Sequence, residues 1–155
     1  MIHKCVNNFI SAEDNFNISN ALMTTTFPWF RLSSLIENSV FYHELIKDKK
    51  IVSPFVDVIS PLTKKISKDV YGASCFYIPH QSNNKEVLKS DPGDKPGITK
   101  VIYYPFSSDG ITKFKIGKTF ETVSNTAIFF DSLLQTAETG PTKDNYRLII
   151  ELFFK

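Results

Sequence analysis

The sequence predicts an α+β chain. Helical spacing with a capping signal dominates the first 70 residues, period-two apolar alternation takes over after about Ala73, and Gly, Pro and Asp punctuation divides the second half into short strands. Several short strands in a row suggest a barrel or sandwich. The chain has 155 residues, 42% of them hydrophobic and 14 of them Phe, which is enough apolar surface for one buried core. A single domain is expected, with residues 1–70 as a mainly helical support region and 71–155 as the sheet core.

A strand is predicted over 6–10. A helix follows from Ser11 to about residue 24, because Ser11 with Asp14 three positions on resembles a helix start, and an acid there meets the positive end of the helix. Pro28 interrupts the pattern, and Trp29, Phe30 and Leu32 form an aromatic knot best explained by packing. Over 54–66, Phe55, Val58, Ile59, Leu62 and Ile66 fall at helical spacing and predict a covering helix despite Pro61. The stretch 90–97 holds Asp91, Pro92, Gly93, Asp94, Pro96 and Gly97 and reads as a turn-rich connector. Strands are expected over 101–106, 112–116, 126–130 and 146–154.

Composition excludes several function classes. A formal net charge of +2 with 22% charged residues leaves no footprint for nucleic acid or a strongly basic membrane surface. The longest apolar runs, such as 127–130, are far short of the roughly 18 residues that span a bilayer. Residues 1–8 lack the apolar core of a secretory signal, so a cytosolic location is expected, with Cys5 and Cys75 as reduced thiols and no redox or zinc motif.

The strand at 146–154 carries the most chemistry. Side chains alternate along a strand, so Leu148, Ile150, Leu152 and Phe154 share one face while Arg147, Ile149, Glu151 and Phe153 share the other, and both faces look buried. An unpaired buried charge costs several kcal/mol or more, so Arg147 requires an anion. That anion is either Glu151 or another internal carboxylate, or a small acidic ligand.

The order of motifs resembles the iron(II) and 2-oxoglutarate dependent oxygenases of the prolyl-hydroxylase type, especially short phage-encoded ones. Asn8 to Ser11, Phe27 to Phe30 and Phe41 to His43 resemble the N-terminal helical region of that group. Val101 to Tyr104 and Asp109 to Phe114 resemble its central strands and their turn, and Ser124 to Ser132, Thr139 to Asp144 and Arg147 resemble its end. The resemblance implies a double-stranded β-helix, a distorted jelly-roll barrel backed by helices, with iron(II) and 2-oxoglutarate as cofactors of active members.

Those members bind iron through a His-x-Asp pair before the Tyr-Tyr strand and a second histidine after the Phe-Asp-Ser turn. Carried over to this chain, the pair falls on Lys89, Ser90 and Asp91, and the second histidine falls on Thr136, with Gln135 and Thr139 as the other polar candidates nearby. No histidine follows His80. A rescue through His80 and Ser82 meets the objection that serine is a poor iron ligand. Disturbing even an outer partner of a metal ligand costs about 10–100-fold in affinity, so loss of two imidazoles is expected to cost on the order of 10⁴ or more. Lys89 and Asp91, two apart, either place an ammonium where the metal stood or form an exposed pair at a connector edge. Tyr103 and Arg147 take the places of the group's tyrosine and arginine that grip the far carboxylate of 2-oxoglutarate.

Three readings follow. One is an oxygenase-like barrel without a metal cofactor, serving as a binding or structural protein with a protein partner; if phage-encoded, it belongs in the host cytosol or the virion. The second is an active dioxygenase with unusual ligands, Asp91 with Thr136, His80 or water. The third is a metal-independent sensor of 2-oxoglutarate or another small carboxylate that uses Tyr103 and Arg147.

Overall fold

The structure, a computed structural model, describes residues 1–32, 40–90 and 96–155. In chain order its elements are β1 (Ile2–Asn7), α1 (Ala12–Met23), β2 (Phe30–Arg31), β3 (Phe41–Lys47), β4 (Lys50–Ile51), a 3-10 turn (Val56–Ile59), α2 (Ser60–Ile66), β5 (Val70–Pro79), β6 (Glu86–Ser90), β7 (Thr99–Tyr104), β8 (Ser108–Phe114), β9 (Thr119–Thr122), β10 (Thr126–Asp131), β11 (Thr136–Thr139) and β12 (Tyr146–Phe154). Eight strands form one antiparallel sheet in the order β1-β10-β7-β12-β5-β3-β2, with β4 beside β3, and four form a second in the order β6-β11-β8-β9.

Two apolar cores set the layers. Ile102, Tyr104, Ile128, Phe130 and Ile149 of the large sheet pack with Val87 and Phe114 of the small one. On the opposite face of the large sheet, Val101, Tyr103, Leu148 and Ile150 pack under Ile18 and Leu22 of α1 and Leu62 of α2. The result is the expected double-stranded β-helix backed by helices. Because β12 lies between β7 and β5 and between two layers, both of its faces are buried, as the sequence predicts.

Local chemistry places the elements. The Ser11 hydroxyl accepts the Asp14 amide at 3.0 Å and caps α1, with Glu13 and Asp14 in its first turn. The predicted helix over 54–66 divides into the 3-10 turn and α2, with Pro61 in the first turn of α2, where a missing N–H costs nothing. The strand predicted over 6–10 instead ends at Asn7: Asn8 takes a positive φ of 51°, and Phe9 and Ile10 leave the ladder to bond Asn125. Strand β7 stops before Pro105, which has no N–H to continue a ladder. Strand β8 stops at Phe114, because residues 115–118 make a turn with Gly117 at φ 85°.

The N-terminal 70 residues are less helical than expected, since β1, β2, β3 and β4 all join the large sheet. The segment Phe41 to His43, assigned by resemblance to the helical region, lies within β3. Of the connector over 90–97, Ser90 closes β6, and 91–95 lie outside the described residues. Cys75 is buried and Cys5 exposed, both as free thiols. Among the described residues no helix is long and apolar enough to cross a membrane.

The loop between β11 and β12 is pinned by one carboxylate. Asp109 accepts the Thr142 hydroxyl at 2.7 Å and the amides of Thr142, Lys143 and Asp144 at 2.9–3.1 Å, while the Asp109 amide donates back to the Asp144 side chain at 2.8 Å. Burial pushes the Asp109 carboxyl up, but these bonds outweigh it and hold the group well below the usual carboxylate range. A depressed folded value means the stabilisation is present above about pH 4 and is lost as pH falls further. Asp109→Asn is therefore expected to lower Tm at pH 7 and to flatten its decline below pH 4, read by thermal unfolding across pH.

Candidate functional site in the barrel interior

The space between the sheets is charged. Strand register places Arg147, Ile149 and Glu151 of β12 on the inner face, with Lys100, Ile102 and Tyr104 of β7 beside them, and Thr112 of β8, Thr122 of β9 and Glu138 of β11 face them from the small sheet.

Arg147 is fully buried. Its Nε donates to the Thr122 hydroxyl at 2.7 Å, Nη1 to the carbonyls of Ile111 and Thr139 at 3.1 and 2.9 Å, and Nη2 to the Thr112 hydroxyl at 2.9 Å. The Glu138 carboxylate stands 2.9 Å from Nη1. Thr112 carries one hydroxyl hydrogen and gives it to Glu138, so it can only accept from Tyr104, which makes the Tyr104 hydroxyl the donor. Burial pushes the Glu138 carboxyl up, Arg147 and the Thr112 bond oppose it, and Glu151 and Lys100 act at longer range in opposite senses. Glu138 Oε1 and Thr136 Oγ1 are buried with no hydrogen-bond partner among the described residues.

The backbone leaves room for the guanidinium at Gly110. A Cβ there would sit 2.6 Å from Arg147 Cδ and 2.8 Å from the Thr139 carbonyl oxygen, and that backbone oxygen cannot swing aside. Gly110→Ala is expected to cost about 1–3 kcal/mol by overpacking, measured by denaturant unfolding, and Arg147→Ala in the same chain is expected to relieve part of the clash.

A second pair lies toward the other end. Lys100 Nζ sits 2.7 Å from Glu151 and donates to the Ser90 hydroxyl at 2.7 Å, with the ammonium also near the faces of Phe153 and Phe130, at 5.3 and 5.9 Å from the ring centroids. Both side chains are nearly free of solvent, at 1% and 8% exposure.

With this geometry in hand, the chain resembles several solved structures. One is a Pseudomonas putida prolyl-4-hydroxylase, with TM-score 0.58 and 9% identity over 98% of this chain and 91% of that one. A second is a Trichoplax adhaerens prolyl hydroxylase in complex with a hypoxia inducible factor oxygen degradation domain peptide fragment, with TM-score 0.65 and 12% identity over 97% and 82%. A third is a Burkholderia pseudomallei oxidoreductase of the 2OG-Fe(II) oxygenase family, with TM-score 0.66 and 10% identity over 97% and 82%. The fold is that of the 2OG-Fe(II) oxygenases. No protein-family model and no curated protein matches the chain. At such identities the likeness is one of fold, and the chemistry must be argued from the interior residues.

Within this oxygenase fold the candidate residues separate. Tyr103 lies opposite Ile150, and Arg147, three residues from Ile150, points to the other side of the sheet. The Tyr103 hydroxyl bonds Asn15 of α1 and Asn125, tying helix to sheet, and burial pushes it up so that it remains a donor. The carboxylate clamp of Tyr103 with Arg147 is therefore not formed. Tyr104 is the tyrosine beside the guanidinium, 5.4 Å from ring centroid to Cζ.

Glu151 is not the partner of Arg147, because four strand residues separate them by about 13 Å, and Glu138 takes that role from across the barrel. Lys89 is 74% exposed and pairs with Glu86 at 3.4 Å on the outer face, so it does not stand at the barrel centre. Its expected partner Asp91 lies outside the described residues. Thr136 does turn its side chain inward, while Thr139 accepts the Ile111 amide and its carbonyl accepts Arg147. His80 is exposed and bonds the Asp144 carbonyl, His3 is exposed, and His43 lies on the helix-facing side between Pro28 and Ser53. Among the described residues no three His, Cys, Asp or Glu side chains gather as a metal centre requires.

The sequence reading missed Lys100, Glu138 and Tyr104. Lys100 carried a signal, being the charged member of an otherwise apolar inner series with Ile102 and Tyr104. Glu138 carried none, since only the pairing of β11 with β8 brings it to Arg147.

Proposed function

We propose that this chain is an oxygenase-fold barrel without oxygen chemistry that acts as a binding or structural protein. One observation carries the reading: Glu138 and the surrounding threonines already occupy Arg147 from within, so the anion this arginine requires is supplied by the chain itself. A 2-oxoglutarate carboxylate would have to displace Glu138 and leave it buried and unpaired, at a cost of several kcal/mol.

Iron and 2-oxoglutarate do not fit the described residues of the interior. Both described inner carboxylates face a cation, and a divalent ion about 4 Å from Lys100 or Arg147 at an effective dielectric near 20 meets roughly 8 kcal/mol of repulsion. The orphan oxygen of Glu138 is a single donor beside a guanidinium, where a transition ion needs several.

The test is succinate release from 2-oxoglutarate with ferrous iron in air, run alongside iron retention against a chelator. Neither is expected. Stoichiometric iron with succinate formation overturns the reading in favour of a dioxygenase, and metal-independent binding of 2-oxoglutarate overturns it in favour of a carboxylate sensor. If the chain is phage-borne, mass spectrometry of purified virions separates a particle component from a binding protein of the host cytosol.

A further inference from the structure

A depression of about 460 Å³ lies against the small sheet, lined by Lys89, Lys113 and Ala137 of its outward side and reaching the inward-turned Ser90, Phe114 and Thr136 at its edge. Its floor is Ala137, which register places between Lys89 of β6 and Lys113 of β8, and the turn carrying Lys115 and Lys118 closes one end. The small floor side chain and the taller lysines on either side make the surface concave.

The charge is one-sided. Among the described residues of the lining, four lysines stand against one carboxylate, Glu86, a sum of +3 beside the whole chain's formal +2, so everything else in the chain sums to −1. Glu86 is shared between Lys89 at 3.4 Å and Lys113 at 3.7 Å. Lys115 and Lys118 have no ion-pair partner among the described residues and are exposed. A concavity lined by one sign focuses potential and concentrates counter-ions.

We infer that this depression binds a small polyphosphate, a molecule with several phosphate charges on adjacent groups. The size falls within the range of small-molecule sites. Lysine is a point-charge partner suited to phosphate, and separate ammonium groups around one floor favour an anion whose charges are also separate. The rest of the chain sums to −1, so it adds no general positive field of the kind a nucleic-acid backbone draws on. The lysines that define the site do not include Lys100 or Arg147 of the interior, so it stands whether or not the interior is catalytic.

The test is calorimetric titration at low salt with inorganic triphosphate, ATP and orthophosphate. Binding of the first two is expected, with orthophosphate about tenfold weaker or more. Lys115→Glu with Lys118→Glu is expected to weaken binding at least about tenfold, while the same charge change at Lys64→Glu with Lys65→Glu on α2 leaves it within about twofold. All four positions are exposed, and thermal unfolding checks that each variant folds. Equal affinity for triphosphate and ATP assigns recognition to the phosphates, and tighter ATP binding assigns a nucleotide as the source. Absence of binding, an equal loss in the α2 variant, or selective binding of a polyglutamate peptide overturns the inference.

Discussion

Arg147→Met is expected to destabilise the protein by about 3–5 kcal/mol, which for a chain of this size is roughly 6–20 °C in Tm. The reason is the partner left behind. Glu138 is 1% exposed, and with the guanidinium gone only the Thr112 hydroxyl, among the described residues, still donates to it. Burial already pushes that carboxyl up, and Arg147 is the leading influence holding it down. The net effect is already a raised carboxyl with Arg147 in place, and without Arg147 it rises further, so the added destabilisation is full at high pH and diminishes as pH falls through the folded value. Adding Glu138→Leu should recover most of the loss at pH 7, because an apolar pair of similar volume often does as well as a buried ion pair. The check is a double-mutant cycle by denaturant unfolding at pH 7 and pH 5. Single variants that cost under about 1 kcal/mol would mean that water reaches the pair, and the internal anion would no longer account for Arg147.

Lys100→Met is expected to be comparably severe, again about 3–5 kcal/mol, since it strands the Glu151 carboxylate between the sheets. Glu151→Gln should cost less. The ammonium would keep the Ser90 hydroxyl, the new amide oxygen and the faces of Phe153 and Phe130, whereas the stranded carboxylate has no comparable substitutes among the described residues. Urea unfolding of both variants measures the order, and equal or reversed costs would show that Glu151 has other support. Neither variant is expected to gain iron, because the histidines stay exposed or on the helix-facing side.

Much of the barrel could be read from residue order. Ser11 with Asp14 marked the start of α1, and the alternation of Arg147 to Phe154 gave β12, its two faces and the need for an internal anion. The errors have local causes. Phe41 to Lys47 is a strand with a register shift between Glu44 and Ile46 that sends both Leu45 and Ile46 into the core, so its apolar pattern does not follow period two. Asn8 ends β1 early because its backbone takes the left-handed conformation that asparagine tolerates better than most residues. The expectation that Lys89 puts an ammonium at the barrel centre fails, since Lys89 is exposed; the buried cations between the sheets are Lys100 and Arg147. Lys89 turns outward because Ser90, its neighbour, is the residue that faces in.

By itself the sequence determined that a sheet-rich body backed by helices would bury an arginine on its last strand, because alternation and the cost of an unpaired charge are local facts. Only the tertiary structure decided which carboxylate answers that arginine and which tyrosine stands beside it. Those choices depend on strand order and register across a barrel, where residues dozens of positions apart meet and a shift of one residue sends a side chain to the opposite face.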